Sequence, residues 1–140
     1  LQDAIRWQKN SPFNSIALAE FKLGFLYADG RIIPQDYKEA IKWYKKSAVQ
    51  GNARAQYNLA LLYAAGQGVQ VNNKEAEKWY KKSAAQGYSS AQVNLALMYC
   101  YGQGVLKNLH KCSNFLNKAF DNGEDVSKLW EYFELWKYHE

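Results

Sequence analysis

Three side chains late in the sequence could hold a metal or supply a nucleophile: Cys100, His110 and Cys112. A structural zinc site needs four ligands, usually including a close Cys pair. Only three are present, and Cys112 falls where the related positions Ala40 and Ala76 are alanine. A cysteine there reads as a small core residue. A catalytic nucleophile needs a histidine beside a serine or cysteine. The chain has only His110 and His139, and no paired carboxylates stand out. Two cysteines are too few for a disulfide framework. They are expected to remain unbonded to each other. Cys112 should point into the helix pair, whereas Cys100, aligned with Ala28 and Ala64, should face the opposite, concave surface. A bridge needs converging side chains and Cα atoms within about 7 Å. The reading is no catalysis, no metal and no cofactor.

Two other patterns invite a chemical reading. Gly66-Gln67-Gly68-Val69 and Gly102-Gln103-Gly104-Val105 resemble phosphate-cradling loops. Such loops follow a strand and open a helix. Here a helical pattern precedes each one, so the glycines are expected to serve turns that need positive φ. Lys38, Lys42, Lys45 and Lys46, with their later equivalents, could form a nucleic-acid stripe, but Glu39, Glu75 and Glu77 interrupt it. Some of these charges stand at i,i+3 and i,i+4, which supports a solvated helix face. Nucleic acid is not an expected partner.

The elements that position these residues follow from one repeat. Ala19, Ala55 and Ala91 are 36 residues apart. The same step relates Leu23, Leu59 and Leu95, then Tyr27, Tyr63 and Tyr99, then Gly30, Gly66 and Gly102, then Gly51, Gly87 and Gly123. A fixed period of this length marks a stacked repeat array. Within each unit the apolar residues recur at helical spacing. Helix A is expected at 16–29, 53–65 and 89–101, and helix B at 37–49, 73–86 and 109–121. Asp36 and Asn73 are the expected caps of the first two B helices. Gly24, Ala60 and Ala96 are small where helix B of the same unit must come close.

The expected fold is all-α, an α/α superhelical solenoid of helix-turn-helix repeats forming one domain over 1–140. Its parts are a half repeat at 1–15, full repeats at 16–51, 52–87 and 88–123, and a C-terminal capping helix within 124–140. Pro12 is expected to end the half repeat's helix near Ser11. In the tail, Leu129, Trp130, Tyr132, Phe133, Leu135, Trp136 and Tyr138 cover most of a helix circumference over 126–138. End repeats are usually atypical because they cap a stack. So wide an apolar surface also leaves self-association through this helix open. A length of 140 residues, 48% apolar, allows a real core. The net charge of +5 is modest. No stretch reaches the roughly 18 apolar residues of a membrane span. The chain starts without Met or a visible signal peptide. It reads as a processed form or a fragment, and a periplasmic or secreted bacterial location remains open.

The motif Leu59-Ala60-x-x-Tyr63-x-x-Gly66-x-Gly68-Val69, followed by Ala76-x-x-Trp79-Tyr80-x-Lys82-Ser83-Ala84-x-x-Gly87, closely resembles the Sel-one-like repeat (SLR). That family is related to the tetratricopeptide repeat. The resemblance covers about residues 1–123 and implies a right-handed superhelix that binds partner proteins without catalysis. Gly30-Arg31-Ile32-Ile33 departs from the Gly-x-Gly-Val turn.

The expected function is a protein-interaction scaffold holding a protein or peptide on the concave helix-A face. The alternatives are a secreted hydrolase-like or ligand-sensing protein on the same fold, and a structural spacer. Helix-A positions that do not pack on helix B should form the face. The expected binding residues are Lys22 and Phe25, then Arg54, Tyr57, Asn58 and Leu61, then Ser90, Asn94, Leu97 and Tyr101. Asp29, Ala65 and Val93 share the face. In tetratricopeptide relatives, matching positions hold peptide backbone or carboxylate, and the resemblance implies the same here. Asn offers both a donor and an acceptor to an extended chain. Arg54 could add a bidentate carboxylate contact.

Overall fold

A computed structural model describes residues 12–138. Residues 1–11 of the expected half repeat, and His139, lie outside the described residues. Seven α-helices and one 3-10 helix form the described chain, with no strand among those residues. The chain divides into two compact units, 1–71 and 72–140.

Unit one holds α1 (Pro12–Asp29), α2 (Tyr37–Val49) and α3 (Ala53–Ala65). Helix α1 begins at Pro12 rather than at residue 16. Proline fits the first turn of a helix, because its fixed φ is helical and its missing N–H has no partner there anyway. Asp36 caps α2 by accepting from the Glu39 amide at 3.2 Å, and Asn52 caps α3 through Ala55 at 2.9 Å. Helix α2 packs on both α1 and α3. Its buried side is Ala40, Tyr44, Ser47 and Ala48. Two buried side chains tie the helices together. Ser47 Oγ donates to the Ala17 carbonyl at 2.6 Å, and Gln56 Nε2 to the Ala48 carbonyl at 3.1 Å. A Cβ on Gly24 would stand 2.6 Å from the Tyr44 ring, so any larger residue there would force the ring or the helices to shift. Leu23 is 36% exposed, whereas Leu59 and Leu95 in the same column are fully buried.

The turn glycines behave as conformational devices. Gly68 has φ 76 and packs on the start of α2, where a Cβ would come within 2.6 Å of the Tyr37 carbonyl carbon. The divergent loop after Gly30 closes in the same way as its later copy. The Asp36 amide donates to the Tyr27 carbonyl, as Asn108 does to Tyr99, both at 2.9 Å. Ile32 takes the Gly68 position without positive φ and projects outward, 78% exposed.

Unit two holds α4 (Asn73–Ala85), α5 (Ser89–Tyr101), α6 (Leu109–Asp121), α7 (Ser127–Tyr132) and the 3-10 helix (Leu135–Tyr138). The cap of α4 is Asn72, not Asn73. Its side chain accepts from Glu75, three residues on, as Asp36 does from Glu39. Helix α4 ends at Ala85 rather than at residue 86. Helix α5 packs on α4 and α6. Gln92 Nε2 donates to the Ala84 carbonyl at 3.1 Å, one period after the Gln56 bond.

Two expectations fail in this unit. First, Cys100 and Cys112 are joined in a disulfide, with Cα atoms 5.3 Å apart. Cys100 does not face the concave surface. It lies just before the left-handed Gly102 that ends α5, turned toward α6 and buried. The tight turn brings it to Cys112, which occupies the buried alanine column as expected. Second, the tail is not one helix over 126–138. It breaks between Tyr132 and Leu135, where Glu134 has φ 53. A straight helix cannot bury apolar residues spread around its whole circumference. The break lets Leu135 become fully buried while Phe133 and Tyr138 meet Tyr101 and His110. Leu135 stands one period after Tyr99, and Ser113 one period after Glu77. The Tyr99 hydroxyl donates to Glu77 at 2.6 Å, whereas the buried Ser113 hydroxyl has no partner among the described residues.

Candidate functional site

The two sulfurs are consumed by their own bond, so neither can act as a thiolate ligand or nucleophile. His110 is exposed and stands edge-on to Tyr138 at 5.2 Å. Among the described residues, no three His, Cys, Asp or Glu side chains gather as a metal site. No helix among them is long and apolar enough to cross a membrane.

The helices of unit one form two adjoining clefts. One, of about 310 Å³, is lined by Phe21, Lys22, Phe25, Leu26 and Arg54. The other, of about 260 Å³, is lined by Phe25, Ala28, Asp29, Tyr37, Tyr44, Asn58, Leu61, Leu62 and Gln67. Phe25 is a wall of both and is 46% exposed. Helical spacing sets this arrangement. Phe21, Phe25 and Asp29 recur every four residues on α1, and Arg54, Asn58 and Leu61 do nearly so on α3.

Arg54 lies in the first turn of α3, where a positive charge opposes the helix dipole and no acidic residue offsets it. Its guanidinium rests over the Phe21 ring at 4.9 Å, a cation–π contact. Asn58 Nδ2 donates to the Tyr44 hydroxyl at 3.3 Å. Burial pushes that hydroxyl's pKa up, while the Asn58 hydrogen bond and the Arg54 charge pull it back and the Asp29 charge adds to the rise. The guanidinium and the carboxylate therefore both act on one hydroxyl. Asp29 accepts from Arg31 Nε at 2.7 Å, which holds its carboxyl below the usual range.

The sequence-predicted residues divide between the units. Lys22, Phe25, Arg54, Asn58 and Leu61 line the two clefts, and Tyr57 is half-buried on α3. In unit two, Ser90, Asn94 and Leu97 are half-buried on α5, and Tyr101 is 61% exposed. Asn94 repeats the earlier bond, donating to Tyr80 at 3.3 Å. The Tyr101 ring stands edge-on to Phe133 at 5.2 Å, so the tail reaches the end of α5. Sequence reasoning missed Tyr37, Tyr44 and Gln67 as cleft residues. The first two were assigned to helix B and Gln67 to a turn, although Tyr37 departs from its column, where Asn73 and Leu109 follow. It also missed a third cleft, of about 480 Å³, between α6 and α7, lined by Asn117, Phe120, Val126, Ser127, Trp130 and Glu131.

Known proteins show the same architecture. The Sel1 repeat family matches residues 17–52, 53–88 and 89–124. A Sel1 repeat protein from Oxalobacter formigenes is similar at 32% identity and a TM-score of 0.75, over 84% of this chain and 49% of that one. A protective antigen present in uropathogenic Escherichia coli strains, displaying an SLR fold, is similar at 36% identity and a TM-score of 0.76. That match covers 86% of this chain and 26% of the antigen. The chain thus spans about half or less of both. Helicobacter pylori cysteine rich protein B shares the fold at 14% identity and a TM-score of 0.65, over 86% of this chain and 97% of its own. A comparison with curated proteins finds no match. Three matched repeats, covering well over half of the sequence, place the chain in the Sel1 repeat family.

Proposed function

We propose that the protein is a non-catalytic interaction scaffold that holds a peptide segment of a partner protein on its helix-A face. The Sel1 repeat is a scaffold fold commonly used for protein interaction, which supports the coarse reading. The observation that carries the finer one is the pair of clefts sharing Phe25, into which five of the predicted side chains converge. An exposed aromatic between two clefts offers anchor area at small entropic cost, and interface energy concentrates on such residues. Arg54, placed against its own helix dipole and without an acidic partner among the described residues, pairs with a carboxylate of the ligand. Tyr57 belongs to the same proposed face in unit one, and Ser90, Asn94, Leu97 and Tyr101 are the corresponding proposed positions of unit two. The test is selection of binders from a phage-displayed library of random linear peptides on the full chain. Synthetic copies of the selected peptides are then titrated against Phe25→Ala. A loss of about tenfold or more is expected. Unchanged affinity would place the peptide elsewhere.

A further inference from the structure

The two clefts of unit one differ in chemistry, and the difference is not required by the repeat. Asn58 with Tyr44, and Asn94 with Tyr80, make the same bond at the same 3.3 Å in both units. That contact belongs to the fold. Asp29 does not, since the next two positions of its column are Ala65 and Tyr101. The Tyr37 column continues as Asn73 and Leu109, and the Phe25 column as Leu61 and Leu97. The carboxylate and two of the aromatic rings around it are therefore particular to this cleft.

Their arrangement suits a cation. Phe25, Tyr37 and Tyr44 line a space that Asp29 also lines. Aromatic faces attract an ammonium or guanidinium, and a carboxylate beside them adds charge. Leu61 and Leu62 supply apolar wall for the methylene stem of a long basic side chain. At about 260 Å³ the space lies below the range typical of whole small-molecule ligands and fits one side chain. Across Phe25, the neighbouring cleft carries the opposite charge on Lys22 and Arg54. Neither has an acidic partner among the described residues. Arg31, the present partner of Asp29, is an exposed loop residue that donates to the carboxylate from Nε and from its backbone N–H.

We propose that a lysine or arginine side chain of the bound peptide enters the Asp29 cleft while a carboxylate of the same peptide pairs with Arg54. The ligand is then held in a single direction across Phe25. This rests on the peptide-binding reading above and adds the charge pattern of the partner.

The peptides selected on the full chain test it. They are expected to share a basic residue at a fixed spacing from an acidic one or from a free C-terminus. Asp29→Asn should weaken the selected peptide about tenfold, and so should norleucine in place of its basic residue. The two changes together should cost no more than either alone, because they remove one contact. Arg54→Gln should act likewise with the peptide's acidic residue and leave the Asp29 coupling intact. Circular dichroism melts of each variant check that folding is unchanged. Binders without a basic residue, or additive losses for Asp29→Asn and norleucine, overturn this inference and leave peptide binding standing. If no peptide is enriched, the peptide-binding reading falls, and this inference with it.

Discussion

Asn58 and Asn94 stand one period apart in the sequence and are both expected on the helix-A face. Each donates from its side-chain amide to a buried tyrosine of the preceding helix B, Tyr44 and Tyr80. A hydrogen bond of this kind contributes about 1 kcal/mol net, and more is lost when one buried partner is stranded. Asn58→Ala should therefore lower stability by about 1 kcal/mol in urea unfolding, as should Tyr44→Phe. The double variant should lose less than the sum. Strict additivity of the two losses would show that the bond does not form in solution. The ligand-facing role of Asn58 is read separately, from peptide affinity corrected for that stability change.

The helices were legible because three sequence signals agreed. The 36-residue period gave their number, apolar spacing gave their inner faces, and Asp36 gave the start of the first B helix, whereas the second cap was expected one residue late, at Asn73. Four of the six repeat helices match their expected bounds. The disulfide was not legible, because a column analysis treats each residue by its register and not by what a tight turn brings beside it. Cys100 aligned with alanines that were assigned to the concave surface, yet Gly102 folds that helix end onto α6. The cleft chemistry was hidden for a related reason. Tyr37 and Tyr44 belong to helix B, so a list drawn from helix A could not contain them. The bridge closes a loop between residues 12 apart in sequence. Restricting the unfolded chain by such a loop contributes about 3 kcal/mol in the chain-entropy view. Cys100→Ala with Cys112→Ala restores the residue type of the other repeats, so the packing cost should be small. The double variant should lose about 3 kcal/mol, and reductant should no longer affect its unfolding. Two titratable thiols in the unreduced, denatured native-sequence protein would refute the bond itself.

For the whole chain, the tail bears on how the third repeat is covered. A repeat cannot bury its own apolar faces, so an array is stable only if its last helix pair is covered. In unit two we propose that the tail supplies this cover. It follows the register of another helix A, placing Leu135 one period after Tyr99, and Leu135 is fully buried. The 3-10 helix packs on both α6 and α7. Apolar surface remains, since Phe120, which lines the cleft between α6 and α7, and Tyr132 and Trp136 stay more than half exposed. Removing the chain after Asp125 takes away Val126 and Leu135 together and lays bare the side of α6 they protect. Loss of a buried leucine side chain alone costs about 2–5 kcal/mol, so Leu135→Ala should approach that figure and the truncation should exceed it. Newly exposed apolar surface should also drive association, visible as a concentration-dependent shift in size-exclusion chromatography. The point variant separates the two effects, because it weakens the cover without uncovering α6. Should the truncated protein melt at the same temperature and stay monomeric, the tail is not a cap, and the burial of Leu135 contributes nothing that the array needs.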